Sequence, residues 1–300
     1  MTEAGIVFQN KQKSKVKILV RKLIDKTVDY QILLPYSGRV LRTEDHIVAF
    51  VRIESFSQVA LNGSLLFIPS QPRLFLQRFK RGRFIDCMQP GNGESPIINK
   101  KSIQYLAKIR DFFEQFGAMF FLEGGTLLGW YRDCSIIEHT TDLDVSIPIE
   151  FYTEAFNRSI FTNDYFRIWK QYGRVNDSLE FVTFLGPFGQ GEKLDIFFNY
   201  NMFNYSVVGG WAPPDYLLWF KLPKCIGFCS GDLYGRLFAV PCNIKEWLSA
   251  TYGDDYMTKQ AADWERKNGT YSGPQNAQII GRYNKSDASK TFFHHPFYGT

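Results

Sequence analysis

The stretch FLEGGTLLGWYRDCSIIEHTTDLDVSIP, residues 121–148, decides the fold and most of the chemistry of this chain. A short apolar run leads into Gly124, Gly125 and Thr126, and the stretch ends with an alternating pair of carboxylates, Asp142 and Asp144. Glycines between a strand and a helix let a phosphate approach the backbone closely, and paired carboxylates suit hard divalent cations. The stretch therefore contains the parts that a phosphoryl-transfer or nucleotidyl-transfer site needs.

Asp142 and Asp144 begin a predicted strand over residues 142–147. Side chains two residues apart in a strand point to the same face, so the two carboxylates are expected to lie together. Like charges at this spacing repel unless a cation lies between them, and Mg²⁺ or Mn²⁺ suits oxygen ligands that are completed by substrate phosphates. The alternative is a pair of exposed acids at the end of a strand, because a lone D-x-D pattern is common.

The segment Gly124-Gly125-Thr126 is predicted to join a strand over 118–122 to a helix over roughly 126–132. Free N–H groups at the N-terminus of that helix would form an anion site. Arg132, about two turns along, can add a bidentate phosphate contact. In the alternative interpretation, the glycines make only a tight turn and Arg132 forms a surface salt bridge.

A third acid, Asp195, lies in KLDIFFNY, residues 193–200, a predicted strand of mostly apolar residues. A buried carboxylate is costly without a partner, and the natural partner is the same metal, reached from a neighbouring strand. We therefore predict that Asp142, Asp144 and Asp195 are both metal ligands and catalytic residues. Lys193 faces the same side and is predicted to neutralise phosphate. The alternative for Asp195 is a hydrogen-bonded structural role.

Helical and strand-like patterns alternate along the chain and predict a mixed α/β (α+β) fold, in which helices flank a mixed sheet. The sequence PGNGESP, residues 90–96, is the strongest linker candidate. We place a domain boundary there. Residues 1–95 are predicted to form a smaller N-terminal region of one basic helix and short strands, and residues 96–300 a catalytic domain.

The basic helix is predicted over residues 11–30. Apolar residues from Val16 to Val28 recur at helical spacing, and lysines and arginines cover much of the remainder. Two interpretations stay open: a surface helix that packs on a domain, or a helix that contacts an anionic membrane surface or a partner.

The composition favours a folded protein that handles an anionic substrate. The 300 residues are 45% hydrophobic and 17% aromatic, which allows a large core, and the net charge of +5 is modest. No Arg-rich low-complexity tail or zinc-finger spacing is present, so no nucleic-acid partner is predicted.

Two observations bear on the compartment and point in opposite directions. No apolar signal segment or transmembrane run is visible, which suggests the cytoplasm, whereas six Asn-x-Ser/Thr sequons suggest a glycosylating lumen. The five cysteines are widely spaced and odd in number, so we expect buried free thiols rather than a disulfide framework.

Beyond these local patterns, the central stretch resembles the signature of the fukutin and LicD-type phosphotransferase family, which has the nucleotidyltransferase fold. That signature reads roughly G-G/S-T-L-L-G, then Y/V-R, then D-x-D. Further segments are similar to the family's third-acid strand, to its C-terminal motif and to the fukutin branch upstream: LDIF (194–197), VPCNIKEWLSATYGDDYM (240–257) followed by Asp263-Trp264, and IPSQPRLFLQRFKRGRFIDC (68–87). Glu123 departs from the family, which more often has a small residue there, and a membrane anchor of the kind expected of Golgi fukutins is not seen.

The resemblance implies transfer of a phospho-alditol or phosphocholine group from a CDP-activated donor to a glycan hydroxyl, with Mg²⁺ or Mn²⁺ as cofactor and CMP as product. In the fukutin branch the donor is CDP-ribitol and the acceptor a glycan of α-dystroglycan. By position, Asp142, Asp144 and Asp195 match the metal-binding acids, and Gly124, Gly125, Thr126 and Arg132 match the phosphate-binding segment.

Two other functions stay open on the sequence. A nucleotide-sugar glycosyltransferase also holds Mn²⁺ with D-x-D, although it needs neither the upstream glycines nor the third acid. A non-catalytic scaffold of glycosylation is the other alternative, and the presence of all three acids argues against it.

Overall fold

The computed structural model describes residues 85–88, 96–212, 215–258 and 277–282, together with five strands between residues 4 and 69. The chain divides into two compact units, one made of Met1–Asp86 with Cys229–Ala239 and the other of Cys87–Phe228 with Val240–Thr300. The domain boundary placed between residues 95 and 96 stays a prediction.

Four α-helices and fifteen strands lie in the described part of the chain. The helices are α1 (Lys100–Gln115), α2 (Gly124–Asp133), α3 (Glu154–Phe161) and α4 (Ile244–Tyr252), and Ile149–Phe151 form a 3₁₀ turn. The strands are β1 (Ala4–Gln9), β2 (Lys15–Val20), β3 (Gln31–Leu33), β4 (Phe56–Leu61), β5 (Ser64–Pro69), β6 (Phe121–Leu122), β7 (Asp142–Pro148), β8 (Phe166–Tyr172), β9 (Glu180–Leu185), β10 (Lys193–Asn201), β11 (Tyr205–Ala212), β12 (Tyr216–Pro223), β13 (Phe228–Leu233), β14 (Arg236–Pro241) and β15 (Ala277–Arg282).

Ten strands form one mixed sheet, and the predicted α/β (α+β) class is confirmed. Within the second unit the strand order is β6-β7-β10-β11-β12-β15, with β9 also paired to β10 and β8 paired to β9. β13 and β14 complete the ten. None of the helices in the described residues combines the length and the apolar run that crossing a bilayer requires.

The parallel pair β7 and β10 is the part of the sheet that positions the site. Asp142 lies opposite Lys193, and Asp144 lies opposite Asp195. On its other edge, β10 pairs with β9 over residues 193–197 and with β11 over residues 199–201. Because residues opposite each other in a sheet point to the same face, three acids and one lysine share one face across two strands.

An aromatic core supports α1 and α3. The buried Phe113 of α1 meets Phe120, Phe156 and Phe166 edge-on, with ring centroids 4.9 to 5.9 Å apart. Asn99 begins α1 by accepting a hydrogen bond from the Lys101 N–H. Such packing stabilises α1 and α3 on the sheet, since edge-on aromatic contacts add to the stabilisation from burial.

The helix predicted over residues 11–30 is wrong where the chain is described. Lys15–Val20 is strand β2, which pairs antiparallel with β1 and with β3. Its sequence KVKILV places β-branched residues at alternate positions, and this two-residue period competes with the helical one. An interfacial helix that contacts a membrane therefore loses its structural basis in this segment.

The expectation of free thiols is also wrong. Cys87 and Cys134, 47 residues apart, form a disulfide, and Cys229 and Cys242 are disulfide-bonded as well. Cys225 is the free cysteine. Local spacing could not show these bonds, because residues distant in sequence meet only through the fold.

Candidate metal and phosphoryl-transfer site

The structure brings together the three acids that the sequence singles out. Asp142, Asp144 and Asp195 each offer a carboxylate oxygen, and these oxygens lie within 4.8 Å of one another. The strand register is the cause, because it sets Asp195 directly opposite Asp144. The prediction that the third acid reaches the pair from a neighbouring strand is confirmed.

Asp144 is held by the start of helix α2. The Gly125 N–H donates to Asp144 Oδ2 at 2.9 Å, and the Asp144 N–H donates to Thr126 Oγ1 at 2.8 Å. The Glu123 N–H donates to the Asp144 carbonyl at 3.2 Å. The strand and the helix N-terminus therefore fix both the backbone and the carboxylate of this residue.

The two glycines make room for that carboxylate. Gly124 has a φ of +50°, and a Cβ atom built there would lie 2.9 Å from Asp144 Oδ2. At Gly125 a Cβ atom would lie 3.3 Å from the same oxygen. A glycine is required at Gly124 for both reasons, since other residues rarely adopt this backbone conformation and a side chain would displace the acid.

The expectation that this helix start leaves its first N–H groups free is wrong. Glu123 precedes α2, and its Oε1 accepts from the Gly124 N–H at 3.2 Å. The Gly125 N–H is taken by Asp144, as described above. Both donors thus face carboxylates of the protein. The anion that the helix N-terminus stabilises here is a side chain.

Lys193 lies between two of the acids. Its Nζ is 3.1 Å from Asp142 Oδ2 and 2.9 Å from Asp195 Oδ2. The Thr140 hydroxyl donates to Asp142 Oδ1 at 3.0 Å. Lys193 therefore neutralises part of the carboxylate charge, and its predicted contact with phosphate would require it to share its three N–H donors.

Burial and mutual repulsion shift the proton affinities of the cluster. Burial, followed by the charges of Asp142 and Asp195, holds the pKa of Asp144 well above its usual range. Burial also raises the pKa of Asp195 to about 6, although Lys193 acts to lower it. Burial alone would lower the pKa of Lys193, but its ion pairs with Asp195 and Asp142 raise it. The positive charge of Lys193 therefore does not fully offset the cost of burying these carboxylates in their ionised form.

The donor set fits a divalent cation. Three ionised carboxylates and one ammonium carry a formal charge of −2, which one Mg²⁺ or Mn²⁺ would cancel. Asp195 is only 7% exposed, and its buried Oδ1 has no hydrogen-bond partner in the described part of the chain. Carboxylate oxygens are the ligands that these hard cations prefer, so an orphaned oxygen here has a chemical explanation.

Arg132 does not join the acids directly. Its Nη2 pairs with Asp133 Oδ2 at 2.8 Å, and its Nε lies 3.1 Å from both oxygens of the same carboxylate. A salt bridge is the alternative that the sequence left open for Arg132, although this pair is largely buried rather than at the surface. A phosphate contact from Arg132 would use the N–H groups that Asp133 leaves over.

Two buried glutamates beside the cluster escaped the sequence-based prediction of site residues. Glu123 accepts from the Trp247 indole N–H of α4 at 2.9 Å, and burial raises its pKa to about 7. Glu180 of β9 is 4% exposed and accepts from the Trp211 N–H at 2.7 Å. Burial and then the charge of Asp195 hold the pKa of Glu180 well above its usual range.

A signal for Glu180 existed in the sequence. It begins the strand EFVTFL and is a lone charge ahead of mostly apolar residues, the same signal that identified Asp195. Because Glu180 lies opposite Phe197, two residues beyond Asp195 on β10, it faces the same side as the acids. The face therefore carries a fourth carboxyl group.

Comparison with known proteins agrees with this geometry. Residues 117–243 match the family model described as "LicD/FKTN/FKRP, nucleotidyltransferase domain". Residues 117–243 of this chain are therefore similar to the nucleotidyltransferase domain of the LicD and fukutin family. The matched residues include the α2 start, all three aspartates and both glutamates.

Relatives extend the similarity over most of the chain. Two uncharacterized proteins of Caenorhabditis elegans are 34% and 32% identical over 71% and 73% of this chain, and the alignments cover 60% and 62% of those proteins. The human protein named "Ribitol-5-phosphate transferase FKTN" is 29% identical over 78% of this chain and 51% of its own length. The alignments thus span about half to three fifths of the length of these relatives.

Proposed function

We propose that this chain transfers a phospho-alditol, such as ribitol phosphate, or a phosphocholine group from a CDP-activated donor to a hydroxyl of a glycan, and releases CMP. The observation that carries the proposal is the register of β7 and β10, which converges three carboxylates on one face beside a glycine turn. The name of the human relative, ribitol-5-phosphate transferase, supports the alditol class. The acceptor would be a glycan or glycoprotein.

Asp142, Asp144 and Asp195 would hold Mg²⁺ or Mn²⁺ in this function. When bound, the cation supplies Lewis-acid stabilisation of the negative charge on the donor's phosphates. Lys193 would direct one of its N–H donors away from the acids and toward a phosphate oxygen. Arg132 would add a guanidinium contact beyond its pair with Asp133.

The reaction we propose is an in-line displacement at the distal phosphorus. The acceptor oxygen forms a bond to that phosphorus, the pyrophosphate P–O bond breaks, and CMP carries away the electron pair. The hydroxyl proton passes to a carboxylate on the same face. Asp195 and Glu180 are the two candidates to accept this proton, since Asp195 Oδ1 has no hydrogen-bond partner among the residues that the structure describes and Glu180 lies opposite Phe197, two residues beyond Asp195, on the shared face.

A donor screen tests the proposal. Purified protein is incubated with CDP-ribitol, CDP-choline or a panel of UDP-sugars in Mg²⁺ or Mn²⁺, and the released CMP or UDP is measured with and without EDTA. We expect metal-dependent CMP release that increases with a glycan acceptor. We expect Asp144→Asn to abolish the release, whereas Asp111→Asn, on α1 and paired with Arg110, should retain it.

The other outcomes identify the rivals. Release of UDP without CMP would contradict the proposal and favour a nucleotide-sugar glycosyltransferase. Absence of metal-dependent nucleotide binding, measured by calorimetry on the same folded protein, would favour a non-catalytic scaffold. Equal activity of Asp144→Asn and the wild type would refute the assignment of the acids.

A further inference from the structure

The cysteines indicate an oxidising compartment. Of the five cysteines, Cys87, Cys134, Cys229 and Cys242 are in disulfides, and Cys225 alone is free. Disulfides persist in secreted proteins and in the lumen of the secretory pathway, and are rare in the reducing cytosol. The same lumen attaches glycans to Asn-x-Ser/Thr sequons, so the six sequons of this chain gain a physical context.

Three of the six sequons lie in the described part of the chain, and they differ in accessibility. Asn176 lies in the turn between β8 and β9, and Asn204 in the connection between β10 and β11. Both side chains are exposed, and neither makes a hydrogen bond to any residue that the structure describes. Both amides can therefore carry a large group without loss of a contact.

Asn157 is different. It lies within helix α3 and is half-buried, and its Oδ1 accepts a hydrogen bond from the Tyr152 hydroxyl at 2.8 Å. The Tyr152 ring in turn packs against Phe198 at 5.2 Å between centroids. A sugar on the Asn157 Nδ2 would lie beside the amide oxygen that Tyr152 binds, at a half-buried position of a helix.

We infer that Asn176 and Asn204 are N-glycosylation sites and that Asn157 is not. The donor is a polyprenyl-pyrophosphate-linked oligosaccharide of the host cell, used by the host's transferase. The Asn Nδ2 forms a bond to the anomeric carbon, the bond from that carbon to the pyrophosphate oxygen breaks, and the amide proton goes to solvent or a base. This inference is independent of the reaction proposed for the acids.

The sequon serines determine when the modification occurs. Ser178 and Ser206 are almost fully buried. The Ser178 hydroxyl donates to Asp177 and accepts from the Arg174 N–H, and the Ser206 hydroxyl donates to Asn201. A transferase that reads the serine cannot reach it in the folded chain. Glycosylation of these two turns therefore precedes their folding. Asn157 is excluded at the later step, because a chain that carries a sugar at this half-buried helical position would fold poorly and be absent from the folded, secreted protein.

The glycan at Asn204 would also cover an exposed apolar site. Its neighbour Phe203 is 88% exposed, and Lys224 donates to the Phe203 carbonyl at 2.9 Å. An oligosaccharide on Asn204 would lie beside Phe203, its neighbour in the chain, and would shield this side chain from other molecules.

The test counts glycans on defined variants. The whole chain is expressed behind a cleavable secretion signal in a glycosylating eukaryotic cell, with Asn62, Asn268 and Asn284 changed to Gln so that only the three described sequons remain. We expect two glycans, seen as two mobility steps that an amidase specific for N-linked glycans removes. Asn176→Gln and Asn204→Gln should each remove one step, and Asn157→Gln none.

Mass spectrometry then assigns the sites, because the amidase leaves an aspartate wherever a glycan was attached. Aspartate at 176 and 204, with asparagine at 157, confirms the inference. Occupancy of Asn157, or an unmodified Asn176 or Asn204 in secreted and folded protein, overturns it at that site. Thermal melting of each variant establishes folding, and microsomes supplied with the folded, unglycosylated chain should leave it unmodified if timing follows serine burial.

Discussion

The substitution Gly124→Ala tests whether the glycine turn positions the carboxylate of Asp144. The new Cβ atom would lie 2.9 Å from Asp144 Oδ2, whereas ordinary contact begins near 3.4 Å, so the carboxylate must retreat by about 0.5 Å. The hydrogen bond from the Gly125 N–H, 2.9 Å long, would then stretch beyond the usual range. We expect affinity for Mg²⁺ or Mn²⁺ to fall about 10- to 100-fold, the usual cost of losing a group that orients a metal ligand.

Gly117→Ala is the matched control for backbone strain. Gly117 follows α1 with a φ of +71°, and a Cβ atom there meets nothing within 4 Å. Each alanine should lower the unfolding free energy by about 1–2 kcal/mol, because a residue with a Cβ atom is strained in the left-handed backbone conformation. Only the alanine at Gly124 also presses on an acid, which adds about 1.5–3 kcal/mol if the charged hydrogen bond is lost. Gly125 has no positive φ, so Gly125→Ala avoids the backbone cost, and its contact at 3.3 Å should disturb Asp144 less than the alanine at Gly124 does.

The assay pairs urea unfolding with titration of Mn²⁺ into each variant. The expected order of metal affinity is wild type and Gly117→Ala together, then Gly125→Ala, then Gly124→Ala. If Gly124→Ala and Gly117→Ala bind Mn²⁺ equally well, the glycines do not position Asp144 and the reasoning fails. Loss of metal binding by Gly117→Ala would be equally damaging, because it would trace the effect to stability.

Three further predictions concern the surroundings of the site. Burial raises the pKa of Glu123 from 4.5 to about 7, so the folded protein keeps a proton that the unfolded chain releases, and stability should fall by up to about 3 kcal/mol as pH rises across this interval. Glu123→Gln should remove that part of the pH dependence in thermal melts at pH 5 to 8, and an unchanged slope would contradict it. Cys134→Ser should lower the unfolding free energy by about 4 kcal/mol in denaturant titrations, because the disulfide closes a 47-residue separation, whereas Cys225→Ser should have little effect. Glu180→Gln should leave Mn²⁺ affinity within about threefold, as it removes no cation ligand, but should alter the pH profile of CMP release if Glu180 accepts the proton. A tenfold loss of Mn²⁺ affinity would instead make Glu180 a ligand.

The sequence identifies the three acids of the candidate site because each belongs to a recognisable local pattern. The two-residue period places Asp142 and Asp144 on one face, and a lone charge in an apolar strand marks Asp195. Their meeting depends on β7 pairing with β10, and strand pairing across about 50 residues is set by packing of the whole sheet. The cost of burying a lone carboxylate predicted that Asp195 approaches the other two acids from a neighbouring strand, but not the register that brings it opposite Asp144.

Other features lay beyond local pattern for identifiable reasons. The segment Lys15–Val20 satisfies helical and strand periods together, and pairing with two other strands decides between them. Helix α2 begins with the expected glycines. The N–H groups of these glycines, however, bind the carboxylates of Glu123 and of Asp144, and Asp144 lies 19 residues beyond Gly125 in the sequence. The contact of Glu180 with Trp211 joins β9 to β11 and has no sequence signature.

The most direct test of the central claim is a titration of Mn²⁺ into the wild-type protein and into Asp195→Asn, each in the presence of CDP. We expect the wild type to bind Mn²⁺ and Asp195→Asn, still folded by thermal melting, to bind it at least about 10-fold more weakly. Asp111→Asn should match the wild type. Equal Mn²⁺ affinity in Asp195→Asn and the wild type would show that the acid converging from β10 is no part of a metal site.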